Sequence, residues 1–158
     1  MKKLFLHVGT HKTGTTALQN FLMVNKQLLR EHGVLIPVSG CVDPYSGCHN
    51  IAWELNDDHR FQGDYGTLDE LCVEISESGC HTVVVSSEDF EYLHSRPEAL
   101  VRLKHRLNAI GCQVEVILFF REQGEYIISL YAELLKHGLD IPFRTFKKRI
   151  LSVMLSST

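Results

Sequence analysis

The sequence predicts an α/β fold, a three-layer sandwich with a mainly parallel sheet. Apolar runs of strand length alternate along the chain with longer amphipathic runs, which is the pattern of successive β-α units. The first run, residues 4–8, is apolar towards both of its faces, as a central strand of a parallel sheet is. Because 158 residues suffice for one domain with a workable core, we expect residues 1–158 to form a single domain.

Several of the predicted elements have local signals. Thr67 and Glu70 have the spacing of a helical capping box, and Gly79 stands where that helix would end. Residues 82–85 form a β-branched run that is typical of a strand. Pro97 opens a helix whose apolar residues recur every three or four positions. The predicted strands are residues 4–8, 34–36, 82–85 and 114–120. The predicted helices are residues 17–29, 49–56, 67–78, 97–110, 125–137 and 142–155.

Composition argues against several classes of function. The formal net charge of −3 gives no general positive field for nucleic acid or an anionic membrane. No run approaches the roughly 20 apolar residues that span a bilayer, and the apolar start is interrupted too early for a signal peptide. Five cysteines without a Cys-x-x-Cys motif favour a reduced, cytoplasmic protein over a disulfide framework. Cys41, Cys48 and His49 match no usual zinc spacing, so we expect no metal site.

The segment between the first strand and the first helix is the main candidate site. Gly9 and Gly14 bound a short loop there, and glycine lets the backbone turn tightly and approach a ligand closely. The first N–H groups of a helix lack internal partners and make its N-terminus electropositive, so a phosphate held there meets several donors. Threonine hydroxyls would add further donors, or cap the helix. The candidate binding residues of the loop are Gly9, Thr10, His11, Lys12, Thr13, Gly14, Thr15 and Thr16.

The two glycines have the spacing of a Walker A loop, but the lysine stands in a different position. In a Walker A loop the lysine directly follows the second glycine. Here Thr15 follows Gly14, and the lysine is Lys12, inside the loop. An ATPase needs that lysine on the β- and γ-phosphates and the next hydroxyl on Mg²⁺. We therefore expect this loop to hold a phosphate that is not part of a Mg-bound triphosphate.

Three motifs resemble those of the PAPS-dependent sulfotransferases. Residues 11–16 are similar to the loop that binds the 5′-phosphosulfate in this family. The predicted strand 114–120 is followed by Arg121 and, eight residues later, by Ser129. The family binds the 3′-phosphate of PAPS with an arginine and a serine at this spacing. Together with the Ser-Ser-Glu-Asp-Phe segment at residues 86–90, the loop most resembles bacterial sulfotransferase-like proteins.

The resemblance implies a fold like that of P-loop nucleoside triphosphate hydrolases and a transferase activity. The protein would move a sulfuryl group from PAPS to the hydroxyl or amine of a small-molecule or carbohydrate acceptor, with PAP as the product. Lys12 would stabilise the charge that builds on the oxygen between sulfur and phosphate, so that no metal is needed. Arg121 and Ser129 would hold the 3′-phosphate. The competing interpretation of Arg121 is a surface ion pair with Glu122 or Glu125.

The acceptor also needs a base within hydrogen-bond reach. His49 follows a glycine- and cysteine-containing loop, and residues 49–52 resemble a segment of the related bacterial proteins. Glu88 stands at the predicted end of a strand, and His11 lies in the loop itself. His49 and Glu88 are the two preferred candidates. The alternatives are that His49 is a loop histidine without a chemical role and that Glu88 and Asp89 cap a short helix.

Two other functions stay open at the level of sequence. One is a P-loop NTPase or small-molecule kinase, which would depend on Mg²⁺ and ignore a 3′-phosphate. The other is a non-catalytic nucleotide-binding remnant. Sulfotransferases usually continue into a glycine-rich, basic segment that covers the 3′-phosphate, and nothing after Thr145 resembles it. We therefore expect the domain to be incomplete at its C-terminus, and the sequence leaves the oligomeric state open.

Overall fold

The computed structural model describes residues 1–9, 14–42 and 47–156, with side chains up to residue 152. It contains a sheet of four parallel strands in the order β2-β3-β1-β4. The predicted α/β class with a parallel sheet is therefore confirmed. The strands are β1 (Lys2–Gly9), β2 (Val34–Leu35), β3 (Thr82–Ser86) and β4 (Cys112–Phe119).

The helices follow the predicted order with one difference. They are α1 (Thr15–Val24), α2 (Lys26–Glu31), α3 (His49–Leu55), α4 (Leu68–Glu77), α5 (Pro97–Ala109), α6 (Gln123–Lys136) and α7 (Phe143–Ser156). Two 3-10 helices, Gly63–Tyr65 and Glu88–Ser95, complete the set within the described ranges. The prediction of one helix over residues 17–29 is wrong, because the helix is interrupted at Asn25 and continues as α2. Asn25 is the C-cap of α1 with φ −98° and ψ 8°, outside the helical region, and its side chain donates to the carbonyl of Phe21 at 2.8 Å.

The chain divides into two compact units. The first, Met1–Phe119, holds the entire sheet and helices α1 to α5. The second, Phe120–Thr158, holds α6 and α7. Within this second unit, the ring of Tyr131 packs against those of Phe143 and Phe146, with centroids 5.1 and 5.2 Å away. No described helix is both long and apolar enough to cross a membrane.

One face of the sheet carries the main core of the first unit. Leu4, Leu6, Val83 and Val85 point to this face and pack against side chains from α3, α4 and α5. The connection from β1 to β2 runs along the sheet in the direction opposite to the two later connections. Because parallel crossovers are right-handed, α1 and α2 belong on the other face. This arrangement is consistent with the predicted three layers.

The capping box of α4 forms as its sequence predicts. The Thr67 backbone N–H donates to Glu70 Oε2 at 2.7 Å, and the Glu70 backbone N–H donates to Thr67 Oγ1 at 3.3 Å. Glycines then end α4 and α5, where Gly79 and Gly111 have φ angles of 69° and 65°. These local signals fix the lengths of the two helices that cover the core face.

Gly40 is expected to be much less tolerant of substitution than Gly79, although both have positive φ. A Cβ at Gly40 would lie 2.2 Å from Cγ1 of the fully buried Ile51, whereas one at Gly79 would meet no atom within 4 Å. Gly40→Ala should therefore lower the free energy of unfolding by about 2–4 kcal/mol, through backbone strain and overpacking together. Gly79→Ala should lower the free energy of unfolding only through backbone strain, by about 1 kcal/mol. Urea denaturation of both variants measures the difference, and equal losses would contradict this packing.

Candidate functional site

The carboxyl ends of β1, β3 and β4 lie side by side. In the parallel register His7 is opposite Ser86, and Gly9 is opposite Phe119. The connections after β1 and β3 leave the sheet in opposite directions. Such a reversal between neighbouring strands opens a crevice at the carboxyl edge, where α/β proteins bind their ligands. The predicted loop therefore starts at the edge of this crevice.

The helix that follows the loop begins where the sequence predicts. Gly14 adopts the left-handed conformation with φ 87°, and α1 starts at Thr15. Thr15 is buried and Thr16 is exposed. The exposed start of this ten-residue helix presents backbone N–H groups that can bind an anion. The predicted residues Thr10, His11, Lys12 and Thr13 lie outside the described residues.

Two hydrogen bonds link the elements on either side of the crevice. Gln19 on α1 donates from Nε2 to Glu88 Oε2 at 2.8 Å, just beyond the end of β3. His7 Nδ1 lies 2.8 Å from Ser86 Oγ, between neighbouring strands. His7 Nε2 is buried with no hydrogen-bond partner among the described residues. Burial lowers the pKa of His7, so its imidazole is neutral at pH 7. Gln19 thus holds the first part of α1 to the segment that directly follows β3.

The candidate base His49 is the first residue of α3, and it lies against the segment that follows β3. Its Nδ1 is 2.9 Å from Ser87 Oγ and 3.3 Å from Asp89 Oδ2. An ionised carboxylate beside Nδ1 favours the tautomer with the proton on that nitrogen, which leaves the lone pair on Nε2. His49 therefore has the orientation and partner of a histidine that can accept a proton.

Asp89 is the centre of this polar group. Trp53 Nε1 donates to Asp89 Oδ2 at 2.8 Å, and Arg60 Nη2 is 3.4 Å from Oδ1. Burial by itself would raise the pKa of Asp89, but hydrogen bonds from His49 and Trp53 together with the charge of Arg60 outweigh it. The pKa is therefore lowered from its ordinary value of 3.8. Asp89 is ionised at neutral pH and keeps His49 oriented.

The interpretation of residues 88 and 89 as helix caps is wrong. Ser87 is the N-cap of the second 3-10 helix, and its Oγ accepts a hydrogen bond from the backbone N–H of Asp89 at 3.1 Å. Glu88 and Asp89 are the first residues inside that helix, and their carboxylates bind side chains from other elements. Both are therefore available to shape the crevice.

A glycine lies where His49 and Gln19 approach each other. A Cβ at Gly47 would be 2.5 Å from His49 Nε2 and 2.9 Å from Gln19 Nε2. Nε2 of the candidate base therefore faces the same space as the side chain that anchors α1. Any larger residue at position 47 would push into that space.

The predicted 3′-phosphate residues lie in the second unit. Arg121 precedes α6, and its Nε is 3.3 Å from Glu125 Oε2. This is the exposed ion pair that the sequence offered as the competing interpretation. Such an exposed pair contributes little to stability. Ser129 is a half-buried residue of α6. Their predicted role in binding a phosphate stays a prediction.

Sequence reasoning missed several members of this group. His7, Gln19 and Gly47 were not identified, and Asp89 was considered as part of the segment 86–90 and as a helix cap, but not as a partner of His49. His7 carried one signal, since it is the polar residue in the otherwise apolar run of residues 4–8. Gln19 and Gly47 carried none, because their role depends on contacts between distant segments. Within the described ranges, no group of three or more His, Cys, Asp or Glu side chains could hold a metal ion.

Comparison with known proteins does not assign this chain to a family. No protein-family model and no curated protein matches it. The functional argument therefore depends on the residues and the geometry described above.

Asp89→Asn is expected to destabilise the protein in a pH-dependent way. The folded-state pKa of Asp89 lies below the ordinary value of 3.8, so its ionised form contributes stability above that value. This contribution is lost as the pH falls through the lower, folded-state pKa. The variant should lose about 1–3 kcal/mol of unfolding free energy at pH 7, and the deficit should shrink below pH 3.8. Urea denaturation at a series of pH values measures it. A loss of unfolding free energy that stays constant down to about pH 3 would contradict the assignment of Asp89 as an ionised carboxylate. The exposed Asp64→Asn serves as the control.

Proposed function

We propose that the protein is a PAPS-dependent sulfotransferase with a P-loop-type nucleotide site. The observation that carries the proposal is the position of the glycine-bounded loop. It leaves the carboxyl end of the central strand β1, and α1 begins directly after Gly14. A crevice of this kind with a helix N-terminus beside it suits a phosphate group. The position of Lys12 within the loop, rather than after Gly14, favours a phosphosulfate over a Mg-bound triphosphate.

The groups beyond β3 support a transfer that needs no metal. A Mg-dependent nucleotide enzyme requires a carboxylate near this strand end that can hold the ion. Asp89 has both oxygens near protein donors, and Glu88 accepts a hydrogen bond from Gln19. These carboxylates are engaged in fixing α1 and α3 instead. The charge that develops on the leaving phosphate would be stabilised by Lys12 and by the N–H groups at the start of α1.

His49 is the base that the geometry favours for the acceptor. Its Nδ1 lies near Asp89, and its Nε2 faces the space beside Gly47. In the proposed reaction an acceptor hydroxyl oxygen forms a bond to the sulfur of PAPS while the bond between sulfur and the bridging phosphate oxygen breaks. The acceptor proton passes to His49 Nε2, and PAP leaves with the negative charge. Glu88 would instead position α1 through Gln19.

The first test is nucleotide selectivity, measured by calorimetry with PAP, ADP and ATP–Mg²⁺. PAP carries a 3′-phosphate that the other two lack, so PAP should bind about tenfold more tightly or better. Arg121→Ala should remove that preference, and Lys12→Ala should weaken the binding of PAP. Arg144→Ala and Lys26→Ala, which change exposed cations elsewhere in the chain, serve as matched controls.

Three results would count against the proposal. Equal binding of all three nucleotides, or tighter binding of ATP–Mg²⁺, would point to an NTPase or kinase. PAP binding that Arg144→Ala weakens as much as Arg121→Ala does would indicate general charge attraction. Tight PAP binding without release of PAP from PAPS, in the presence of mixed hydroxyl and amine acceptors, would indicate a nucleotide-binding remnant.

His49→Gln should separate proton transfer from nucleotide binding. Loss of a general base costs about 10²–10⁴-fold in rate, while PAP affinity should stay within about twofold because His49 serves the acceptor side. The release of PAP from PAPS with pooled acceptors measures the rate, and calorimetry measures the affinity. Glu88→Gln is the matched comparison and should lose less rate. A larger loss in Glu88→Gln than in His49→Gln would transfer the role of base to Glu88.

A further inference from the structure

Two of the five free cysteines have their sulfur atoms close together. Cys41 Sγ and Cys48 Sγ are 3.0 Å apart, and the two residues are on either side of residues 42–47. Cys48 is buried, whereas Cys41 is partly exposed. Cys48 directly precedes His49, the first residue of α3. A sulfur pair at this position can change the segment that carries the candidate base.

We propose that Cys41 and Cys48 form a reversible disulfide and that this pair is a site of thiol oxidation by small disulfides such as glutathione disulfide. The thiolate of Cys41 attacks one sulfur of the external disulfide and releases one thiol. Cys48 then attacks Cys41 Sγ in the mixed disulfide, forms the internal S–S bond and releases the second thiol. Two protein thiols are oxidised, one external disulfide is reduced to two thiols, and the two protons pass to the released thiolates.

The backbone holds both cysteines in place for this reaction. The Cys41 N–H donates to the carbonyl of Val38 at 3.1 Å. The Cys48 N–H donates to the carbonyl of Ser86, the last residue of β3, at 2.7 Å. Neither residue has to move far for the sulfurs to approach the roughly 2 Å of a disulfide bond. The native fold therefore brings the two thiols together.

The environment of the two thiols gives them different roles. The hydrogen bond between Cys48 and Cys41 and then burial raise the pKa of the Cys48 thiol well above its ordinary value. Cys41 is partly exposed, with its Sγ also 3.1 Å from the carbonyl oxygen of Pro37. Cys41 is thus the residue that an external disulfide reaches first, and Cys48 is the resolving thiol. A partly exposed thiol beside a buried one is the arrangement in which one cysteine reacts first and its neighbour resolves the mixed disulfide.

The disulfide would close a ring next to His49. The ring would include Gly47, where a Cβ would lie 2.5 Å from His49 Nε2. Closing it restricts the unfolded chain between residues 41 and 48. An effect on acceptor chemistry depends on the proposed function, whereas the formation of the disulfide does not.

The test is a redox titration of the full chain in glutathione buffers that range from fully reduced to fully oxidised. Each sample is quenched with acid, alkylated and mapped by peptide mass spectrometry. We expect a single two-electron transition in which Cys41 and Cys48 lose alkylation together and the intact mass falls by about 2 Da, the two thiol hydrogens. The oxidised protein should also melt roughly 5 °C higher, since the cross-link restricts the unfolded chain.

Two variants and one changed condition make the outcome specific. Cys41→Ser should abolish the transition, and Cys80→Ser, which changes another buried cysteine, should leave it unchanged. In 6 M guanidinium the transition should shift towards stronger oxidants, because the native backbone no longer holds the sulfurs together. Five alkylated thiols at every buffer ratio would overturn the proposal. So would a lasting glutathione adduct on Cys41, or oxidation of a different pair such as Cys72 with Cys112.

A further measurement separates this proposal from the sulfotransferase proposal. PAP binding and PAP release are compared for the reduced and oxidised protein after the disulfide has been verified by mass. A disulfide that forms in a protein without PAP binding supports the redox site and counts against the transferase. PAP binding in a protein whose five thiols all stay reduced supports the transferase and counts against the redox site.

Discussion

The buried carboxylate of Asp89 organises the part of the molecule that carries the candidate site. It lies three positions beyond the end of β3 and is only 5% exposed. A carboxylate in such a place stays ionised only if charged and hydrogen-bonding partners compensate for the lost water. Trp53 and His49 of α3, with Arg60 from the chain that follows, supply that compensation. The position of α3, and with it that of His49, therefore depends on Asp89.

The order of the strands in the sheet is the second constraint on the candidate site. Because β1 lies between β3 and β4, three strand ends converge beside the loop that begins at Gly9. The hydrogen bonds between His7 and Ser86 and from Gln19 to Glu88 join side chains of different elements at this edge of the sheet. The same strand end that fixes α1 through Glu88 fixes α3 through Asp89. One short segment after β3 thus positions both the predicted phosphate-binding helix and the candidate base.

The positioning of α1 and α3 by the segment after β3 bears on the choice between a metal-free transfer and a Mg-dependent reaction. The sequence makes Glu88 a candidate base at a strand end, with Asp89 beside it. In the structure they accept hydrogen bonds from Gln19 and Trp53. Carboxylates engaged in this way act by orienting other groups, which suits a transfer driven by a lysine and backbone N–H groups. The neighbouring Cys41–Cys48 pair adds a link from the thiol redox state to the same segment, since Cys48 hydrogen-bonds to the end of β3.

The sequence alone determined the fold class, the order of the elements and most of their boundaries. These depend on short-range signals: the apolar run of β1, the capping box of α4, the β-branched run of β3 and the glycines after the helices. The failure at Asn25 is also local, because the backbone of this one residue leaves the helical region, with ψ 8°, without changing the apolar spacing. The glycine-bounded loop could be placed between β1 and α1 for the same reason.

Only the tertiary structure decided which polar side chains meet. Asp89 contacts residues 29 to 40 positions earlier in the chain, and Gln19 contacts a residue 69 positions later. No spacing rule connects such residues, because their distance is set by strand order and by the packing of α3 against the second 3-10 helix. Cys41 and Cys48 were dismissed from the sequence as a zinc or disulfide motif, yet the fold brings their sulfurs to 3.0 Å. Local sequence determines the secondary structure of each segment, and burial in a common core determines which segments become neighbours.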